Sequence, residues 1–214
     1  MQIIKNETVL ILGPHTDDAE FGCGGTIASL IENNCNVHII AFSTAEESLP
    51  EGFAKDINRT NMMQSIKILG IDVRNVEILN YPVRHFPAHR QNILEDLVKK
   101  HNEIKPSIVF LPSSVDIHQD HQVISQEGLR AFKNTTVFGY ELPWNNLSFS
   151  TTCFIKLDEN HVSKKLESLK CYIAQMGRSY INAEYIRSVM RSRGGQIGGK
   201  YAETFEVSRL IYQC

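Results

Sequence analysis

One imidazole and three carboxylates crowd into six consecutive positions near the start of the chain, at His15, Asp17, Asp18 and Glu20. Packed together without a counter-ion, the carboxylates would repel one another, and the burial of an unpaired charge is costly. A bound cation removes that objection, because histidine and carboxylate side chains are common ligands of catalytic zinc. This cluster therefore indicates a metal site.

A second polar cluster lies much later in the chain, where His118, Asp120 and His121 follow one another closely. Catalytic zinc takes three protein ligands, often two histidines and a carboxylate, and leaves a fourth position for water. His15, one of the two neighbouring aspartates and one of the two later histidines would complete such a set. The remaining aspartate and histidine would then be free for proton transfer and oxyanion stabilisation, as a hydrolase requires. Asp120 is a candidate to orient one of the histidines.

Both clusters follow short apolar runs that are typical of buried strands, at residues 8–12 and 107–111. Such runs alternate with segments of helical periodicity, which predicts a Rossmann-like α/β fold with a mostly parallel central sheet and helices on both faces. The carboxyl ends of parallel strands share one edge of the sheet, so the two clusters can meet there.

The length of the chain favours a single domain that spans residues 1–214. The predicted strands are 8–12, 37–42, 76–79, 107–111, 136–140 and 152–157, followed by a last apolar segment at 205–212; the predicted helices are 26–32, 54–69, 88–101, 122–132, 160–173 and 180–192.

The composition argues against several kinds of partner. With 42% hydrophobic residues, 21% charged residues and a net charge of -2, the chain lacks the basic surplus that nucleic-acid binding favours. Its apolar runs are shorter than a membrane span, and its first residues do not resemble a secretory signal, so we expect a cytoplasmic protein without an integral membrane segment. The five cysteines are scattered, which argues against a disulfide framework or a thiolate zinc site.

The first cluster resembles the PHPDDxE-type signature of the LmbE-like or PIG-L family of zinc-dependent N-deacetylases, and residues 115–121 resemble the H-x-D-H element of that family. Residues 191–195 and 201–205 are similar to its closing motif. The three matches occur in the family's order and extend across nearly the whole chain. The resemblance implies a Rossmann-like hydrolase that removes the N-acetyl group from a small-molecule N-acetylated amino sugar.

The resemblance also implies roles for individual residues. Carried over by position, it makes His15, Asp18 and His121 the metal ligands. It makes Asp17 the general base and His118 the group that stabilises the tetrahedral intermediate. The implied metal is Zn²⁺, although Fe²⁺ fits the same ligands.

Further expectations concern the surroundings of the metal. Thr16 stands where the family usually has proline, and Ala19 is inserted before Glu20, so we expect Glu20 to support the ligands instead of binding the metal. Arg59 matches an arginine that faces the substrate in relatives, although Met62 stands where a glutamate is often found.

Other candidates for substrate contacts have ordinary structural alternatives. Trp144 is suited to stacking on a sugar ring or to core packing, and Arg193 to holding a substrate group or to a surface loop. Arg84, His85 and His89 lie in a proline-containing segment that is typical of ordinary surface.

The sequence leaves alternative functions open. An amidase that acts on an N-acyl sugar conjugate would use the same residues. Two histidines with one carboxylate are also the ligand set of non-haem iron oxygenases. The α/β order permits a nucleotide-binding module without catalysis, but the glycines after the first cluster lack the G-x-G-x-x-G spacing. The family resemblance also implies that association into a homo-oligomer is common.

Overall fold

A computed structural model describes residues 4–178 and 180–211 of the chain. The strands are β1 (Thr8–His15), β2 (Asn36–Ser43), β3 (Val76–Ile78), β4 (Ile108–Pro112), β5 (Thr136–Tyr140), β6 (Cys153–Leu157) and β7 (Tyr201–Arg209). The α-helices are α1 (Asp18–Glu32), α2 (Ile57–Leu69), α3 (Arg90–Ile104), α4 (Gln119–Ala131), α5 (Glu159–Leu169) and α6 (Ala183–Gly195).

The strands of the described chain form one seven-stranded sheet in the order β3-β2-β1-β4-β5-β7-β6. Parallel pairing extends from β3 through β2, β1 and β4 to β5, whereas β7 runs antiparallel to both β5 and β6. The chain leaves β1 toward one edge of the sheet and returns on its other side at β4. This reversal creates a crevice beyond the carboxyl ends of β1 and β4, where ligands of open α/β sheets bind.

Side chains of β1 alternate between two cores. Val9 and Ile11 pack with residues of α1, α2, α5 and α6, whereas Leu10 and Leu12 pack on the opposite face with residues of α3 and α4. All four side chains are fully buried, which accounts for the uninterrupted apolar run in this strand. The predicted α/β fold, with a mostly parallel sheet and helices on both faces, is confirmed.

The first helix differs most from its prediction. The cluster of glycines suggested a loop that continues to residue 25, but α1 begins at Asp18 and contains those glycines. A Cβ atom at Gly22 would lie 2.4 Å from a ring carbon of Tyr140, and one at Gly25 would lie 2.5 Å from Leu157. The glycines therefore permit close packing of a helix against β5 and β6, and the predicted helix start is wrong.

The remaining predicted elements agree with the structure to within a few residues at their ends. The proline-containing segment after β3 lacks regular strand or α-helix up to residue 85 and then forms a short 3₁₀ turn, Phe86–His89. The last apolar segment is β7, and residue 212 lies outside the described residues. Among the helices described, none has both the length and the apolar character needed to cross a bilayer.

A charged pair is buried where α1 packs against α5 and β7. Lys165 Nζ lies 2.6 Å from Glu203 Oε1 and donates a hydrogen bond to the carbonyl oxygen of Phe21. The Glu203 carboxylate also accepts the backbone N–H groups of Gly25 and Thr26, at 3.0 and 2.6 Å. Lys165 and Glu203 are at most 5% exposed. The pair thus supplies partners to backbone groups inside α1.

Candidate metal centre and substrate cavity

Three side-chain atoms from two distant parts of the chain, residues 15–18 and residue 121, meet beyond the carboxyl end of β1. His15 Nδ1 lies 3.1 Å from Asp18 Oδ2 and 3.4 Å from His121 Nε2, and Asp18 Oδ2 lies 3.3 Å from His121 Nε2. We refer to these three residues as the metal triangle. Ligands of a tetrahedral ion with bonds of about 2.0–2.1 Å are roughly 3.3 Å apart, so the triangle has the size of a zinc site.

The fold brings the metal triangle together through two neighbouring strands. His15 is the last residue of β1, and its backbone N–H donates to Asp18 Oδ2 at 2.8 Å, which closes the turn into α1. His121 lies in the first turn of α4, the helix that follows β4. Since β1 and β4 are adjacent and parallel, the segments that follow them start at the same edge of the sheet.

The electrostatics of the metal triangle favour positive charge. Burial acts to raise the pKa of Asp18, but His121 and His15 hold it well below its usual range. Burial likewise acts to lower the pKa values of His15 and His121, but Asp18 and other carboxylates raise them to about 9 and about 10. The carboxylates thus require positive charge, which either two protons or a divalent cation can supply.

A carboxylate holds the other ring nitrogen of each histidine in the triangle. His15 Nε2 lies 3.1 Å from Asp120 Oδ2, and His121 Nδ1 lies 2.8 Å from Asp116 Oδ2. Both aspartates are at most 2% exposed. In the neutral ring, an N–H directed at the carboxylate leaves the other nitrogen unprotonated and facing the triangle, which is the tautomer that a metal ligand requires.

Sequence reasoning singled out Asp120 but missed Asp116. The available signal was the position of Asp116 in the loop between β4 and α4, five residues before His121. An aspartate in such a loop is more commonly a turn residue, and its Oδ1 does accept the backbone N–H of His118 at 2.8 Å. Only the folded chain reveals that its other oxygen reaches His121.

Replacement of Asp116 by asparagine is expected to weaken metal binding about 10- to 100-fold, because the ring of His121 loses its anionic partner. A competitive titration with a chromophoric chelator measures this affinity. Asp72, an exposed aspartate that pairs with Arg74, provides the control, and Asp72→Asn should bind metal as the parent chain does. Equal affinities for Asp116→Asn and the parent would contradict the orienting role.

Asp120 also fixes the loop that follows β3. Its carboxylate accepts the backbone N–H of Arg84 at 2.6 Å and that of Phe86 at 3.3 Å. Burial acts to raise the pKa of Asp120, but the hydrogen bonds from His15 and the Arg84 amide outweigh it and lower the pKa. Arg84 has a left-handed φ of 69°, a conformation that a non-glycine residue keeps only where its surroundings hold it.

Asp17 lies immediately before α1 and lines the cavity beside the metal triangle. Its side chain makes no capping hydrogen bond to the helix. Burial and the neighbouring charge of Asp18 raise its pKa to about 6. A carboxylate with a pKa close to the working pH is suited to general base catalysis.

His118 lies close to the metal triangle but differs from its histidines in hydrogen bonding. Ring nitrogens of His15, His118 and His121 all lie within 4.8 Å of one another, so distance alone would allow a three-histidine site. However, His118 Nδ1 accepts the backbone N–H of Asp120 at 3.2 Å. Burial and His121 lower the His118 pKa to about 4, so the ring is neutral and carries its proton on Nε2. This nitrogen can donate to an oxyanion.

A cavity of about 370 Å³ opens beside the metal triangle, and aromatic side chains line part of it. Trp144 stacks on Tyr180 with ring centroids 4.3 Å apart and an interplanar angle of 14°. Phe21 meets Trp144 edge to face at 5.1 Å. We refer to Phe21, Trp144 and Tyr180 as the aromatic wall. Sequence reasoning missed Tyr180, which it assigned to the start of a helix that begins only at Ala183.

Glu20 lies beneath the first loop instead of beside the metal triangle. Its Oε1 accepts hydrogen bonds from Ser65 Oγ and Tyr172 Oη, both at 2.6 Å. The Tyr172 hydroxyl also lies 2.6 Å from the carbonyl oxygen of Thr16. Burial raises the Glu20 pKa to about 7. Glu20 therefore does not contact the turn between β1 and α1 itself, but binds Tyr172, whose hydroxyl group contacts Thr16 in that turn.

Arg59 and Arg193 lie outside the cavity beside the metal triangle. Arg59 lines a neighbouring cavity of about 300 Å³. Arg193 forms an ion pair with Glu141, in which its Nε lies 3.0 Å from Oε2. Two other arginines, Arg84 and Arg178, line the main cavity. The sequence favours ordinary surface for Arg84 over a place in a substrate pocket, and it gives no role to Arg178.

Comparisons with known proteins agree with this fold. A family model described as PIG-L: GlcNAc-PI de-N-acetylase matches residues 10–132. The uncharacterized deacetylase YaiS of Escherichia coli (strain K12) is 26% identical over 174 residues, which cover 78% of this chain and 90% of that protein.

Solved structures with the same fold carry out more than one reaction. The N,N'-diacetylchitobiose deacetylase from Pyrococcus horikoshii has a TM-score of 0.79 at 21% identity, over 94% of this chain and 83% of the other. GalB, the 4-carboxy-2-hydroxymuconate hydratase from Pseudomonas putida KT2440, has a TM-score of 0.76 at 19% identity, over 97% and 99% of the two chains. The fold alone therefore does not identify the reaction, which depends on the residues of the site.

Proposed function

The chain belongs to the PIG-L family, and on that premise we propose that it is a metal-dependent hydrolase that removes the N-acetyl group from an N-acetylated amino sugar. The observation that carries the proposal is the metal triangle of His15, Asp18 and His121, with the carboxylate of Asp17 beside it. Its mixture of nitrogen and oxygen ligands fits Zn²⁺ and also Fe²⁺. When bound, such a cation supplies Lewis acidity for an amide carbonyl and lowers the pKa of water.

Asp17 acts as the general base in this proposal. Its carboxylate takes a proton from the attacking water while the water oxygen bonds to the carbonyl carbon of the amide. Asp17 then gives that proton to the amide nitrogen as the C–N bond breaks. The products are acetate and the free amino sugar.

His118 stabilises the negative charge that develops on the carbonyl oxygen. Its Nε2–H donates to that oxygen, while its Nδ1 stays fixed by the Asp120 amide. The other two histidines donate hydrogen bonds to the carboxylates of Asp120 and Asp116, which hold the rings in place before substrate binds. Trp144 and the rest of the aromatic wall pack against the apolar face of the sugar.

Metal removal tests the proposal directly. The chain is stripped with a chelator, reloaded with Zn²⁺ or Fe²⁺, and assayed for acetate release from a panel of N-acetylated sugars that includes N,N'-diacetylchitobiose. We expect one bound metal per chain by elemental analysis, loss of acetate release on stripping and recovery on reloading. His15→Ala should lose the metal, whereas His38→Ala, which changes a histidine in the middle of β2, should keep it.

Two outcomes would contradict the proposal. Full acetate release by the metal-free chain would show that the reaction does not require a metal. Oxygen uptake by the iron-loaded chain without acetate release would favour the oxygenase alternative that shares this ligand set.

A further inference from the structure

The carboxylate of Asp17, the general base of the proposed function, is not held by another side chain of the described residues. It makes no capping hydrogen bond to α1, and its one hydrogen bond comes from its own backbone. The direction of this carboxylate therefore depends on the two peptide groups that flank Asp17. A reacting group needs a fixed direction, because a displacement of about 1 Å can lower a rate by about 10²-fold.

Each of the two flanking peptide groups is fixed by a different partner. After Asp17, the first hydrogen bond of α1 joins Phe21 N–H to the Asp17 carbonyl oxygen at 3.0 Å. Before Asp17, Tyr172 Oη lies 2.6 Å from the carbonyl oxygen of Thr16. A carbonyl oxygen can only accept a hydrogen bond, so Tyr172 is the donor. Within the described chain, no backbone N–H group donates to this oxygen. The peptide group between Thr16 and Asp17 thus depends on Tyr172.

The contact between Tyr172 and Thr16 is closed to solvent. Tyr172 is fully buried and Thr16 is 2% exposed. On the other side of the hydroxyl group, Glu20 Oε1 lies 2.6 Å from Tyr172 Oη and accepts a hydrogen bond from Ser65, and both residues are fully buried. The hydroxyl proton thus lies between two acceptors. Bulk water has no access to replace the hydroxyl group, so its loss would leave a buried carbonyl oxygen without a partner.

The neighbouring ligands of the metal triangle have supports of their own. His15 N–H donates to Asp18 Oδ2 at 2.8 Å, and a carboxylate holds the outer ring nitrogen of each histidine. None of these hydrogen bonds includes Tyr172. Loss of the Tyr172 hydroxyl group should therefore disturb Asp17 far more than metal binding.

We propose that Tyr172 is a positioning residue of the reaction, whose hydroxyl group fixes the peptide group before Asp17 and thereby the direction of the Asp17 carboxylate. This inference rests on the proposed function of Asp17 as the general base. Tyr172 does not line the cavity, so it acts through Asp17 and not on the substrate. It lies 156 residues after Thr16, and only the fold brings the two together.

Replacement of Tyr172 by phenylalanine tests the inference, because it removes only the hydroxyl group. We expect kcat for acetate release to fall about 10- to 100-fold, with KM unchanged and one metal still bound per chain. Tyr140→Phe is the control, since Tyr140 is also fully buried and its Oη donates to the carbonyl oxygen of Leu12 at 3.0 Å. Tyr140→Phe should keep the parent kcat. A parent kcat for Tyr172→Phe, or equal losses in the two variants, would overturn the inference.

Two further variants show whether Tyr172 acts through this hydrogen bond and through Asp17. In the Asp17→Asn chain the base is already absent, so Tyr172→Phe should not lower kcat further. The same fall in both backgrounds would overturn the action through Asp17. para-Aminophenylalanine at position 172 keeps the ring and an N–H donor, so it should fold like the parent and recover most of the lost kcat. A kcat as low as that of Tyr172→Phe would overturn the role of the donor.

Crystal structures of the Zn²⁺-loaded parent and Tyr172→Phe separate this inference from the proposed function. A displaced Asp17 carboxylate in the variant, without acetate release by the parent from any substrate of the panel, would support the positioning role and contradict the deacetylase function. Acetate release with the same kcat and the same Asp17 position in both chains would support the function and overturn the positioning role.

Discussion

Replacement of Asp17 by asparagine is expected to lower kcat for acetate release by about 10²- to 10⁴-fold, which is the contribution of a well-positioned general base. The amide has nearly the same volume, but it cannot take a proton from the attacking water. Asp17 is not part of the metal triangle, so Asp17→Asn should keep its metal. Steady-state kinetics and elemental analysis of the same preparation measure both quantities.

The pH profile provides a second test of Asp17. A base acts in its ionised form, so the parent rate should fall as the pH is lowered through the pKa of Asp17. Burial and Asp18 raise that pKa to about 6, and a bound cation lowers it, so the decrease in rate should occur at or below a pH of about 6.

Asp18→Asn, which changes the metal triangle, should lose both metal and activity. A kcat for acetate release by Asp17→Asn equal to that of the parent chain would contradict the role of Asp17 as the general base.

Replacement of Glu203 by glutamine is expected to lower the free energy of unfolding by about 3–5 kcal/mol, because it leaves the buried ammonium of Lys165 without its counter-charge. Lys165 would keep neutral acceptors, the carbonyl oxygen of Phe21 and the amide oxygen of the substituted side chain, but no negative charge beside it. Typical domains are stable by about 5–15 kcal/mol, so the loss would be a large part of the total. Equilibrium unfolding in urea, followed by circular dichroism, measures it.

Two further variants show whether the buried pair causes that loss. Lys165→Met should destabilise the chain less than Glu203→Gln, since the carboxylate keeps two backbone N–H donors, from Gly25 and Thr26. Glu159 pairs with Arg187 and Lys200 at the surface, and Glu159→Gln should have a far smaller effect because solvent screens that pair. Equal losses for Glu203→Gln and Glu159→Gln would contradict the expected cost of burial.

The convergence of the two polar clusters was predictable because it depends on local patterns. Apolar runs identify β1 and β4, and the alternation with helices makes these strands parallel, so that His15 and His121 belong to the same edge of the sheet. The α/β architecture follows from the same patterns. Neither conclusion requires knowledge of side-chain packing.

The features that were not predictable depend on contacts between distant residues. In the sequence, the glycines of α1 suggest a loop. Their actual role is to leave room for Tyr140 and Leu157, which pack against the helix from distant strands. Tyr180 becomes part of the aromatic wall only because the segment before α6 passes beside Trp144. The ion pair of Arg193 with Glu141 likewise joins parts of the chain that no local pattern connects.

The metal triangle and both aspartates that hold its histidines lie between residues 15 and 121, within the part of the chain that the family model matches. Trp144, Arg178 and Tyr180 come from later segments. The metal triangle and most of the aromatic wall of the cavity therefore come from separate stretches of polypeptide. Under the proposed function, substitutions in the later stretch would change the side chains that face the sugar and leave the metal triangle intact.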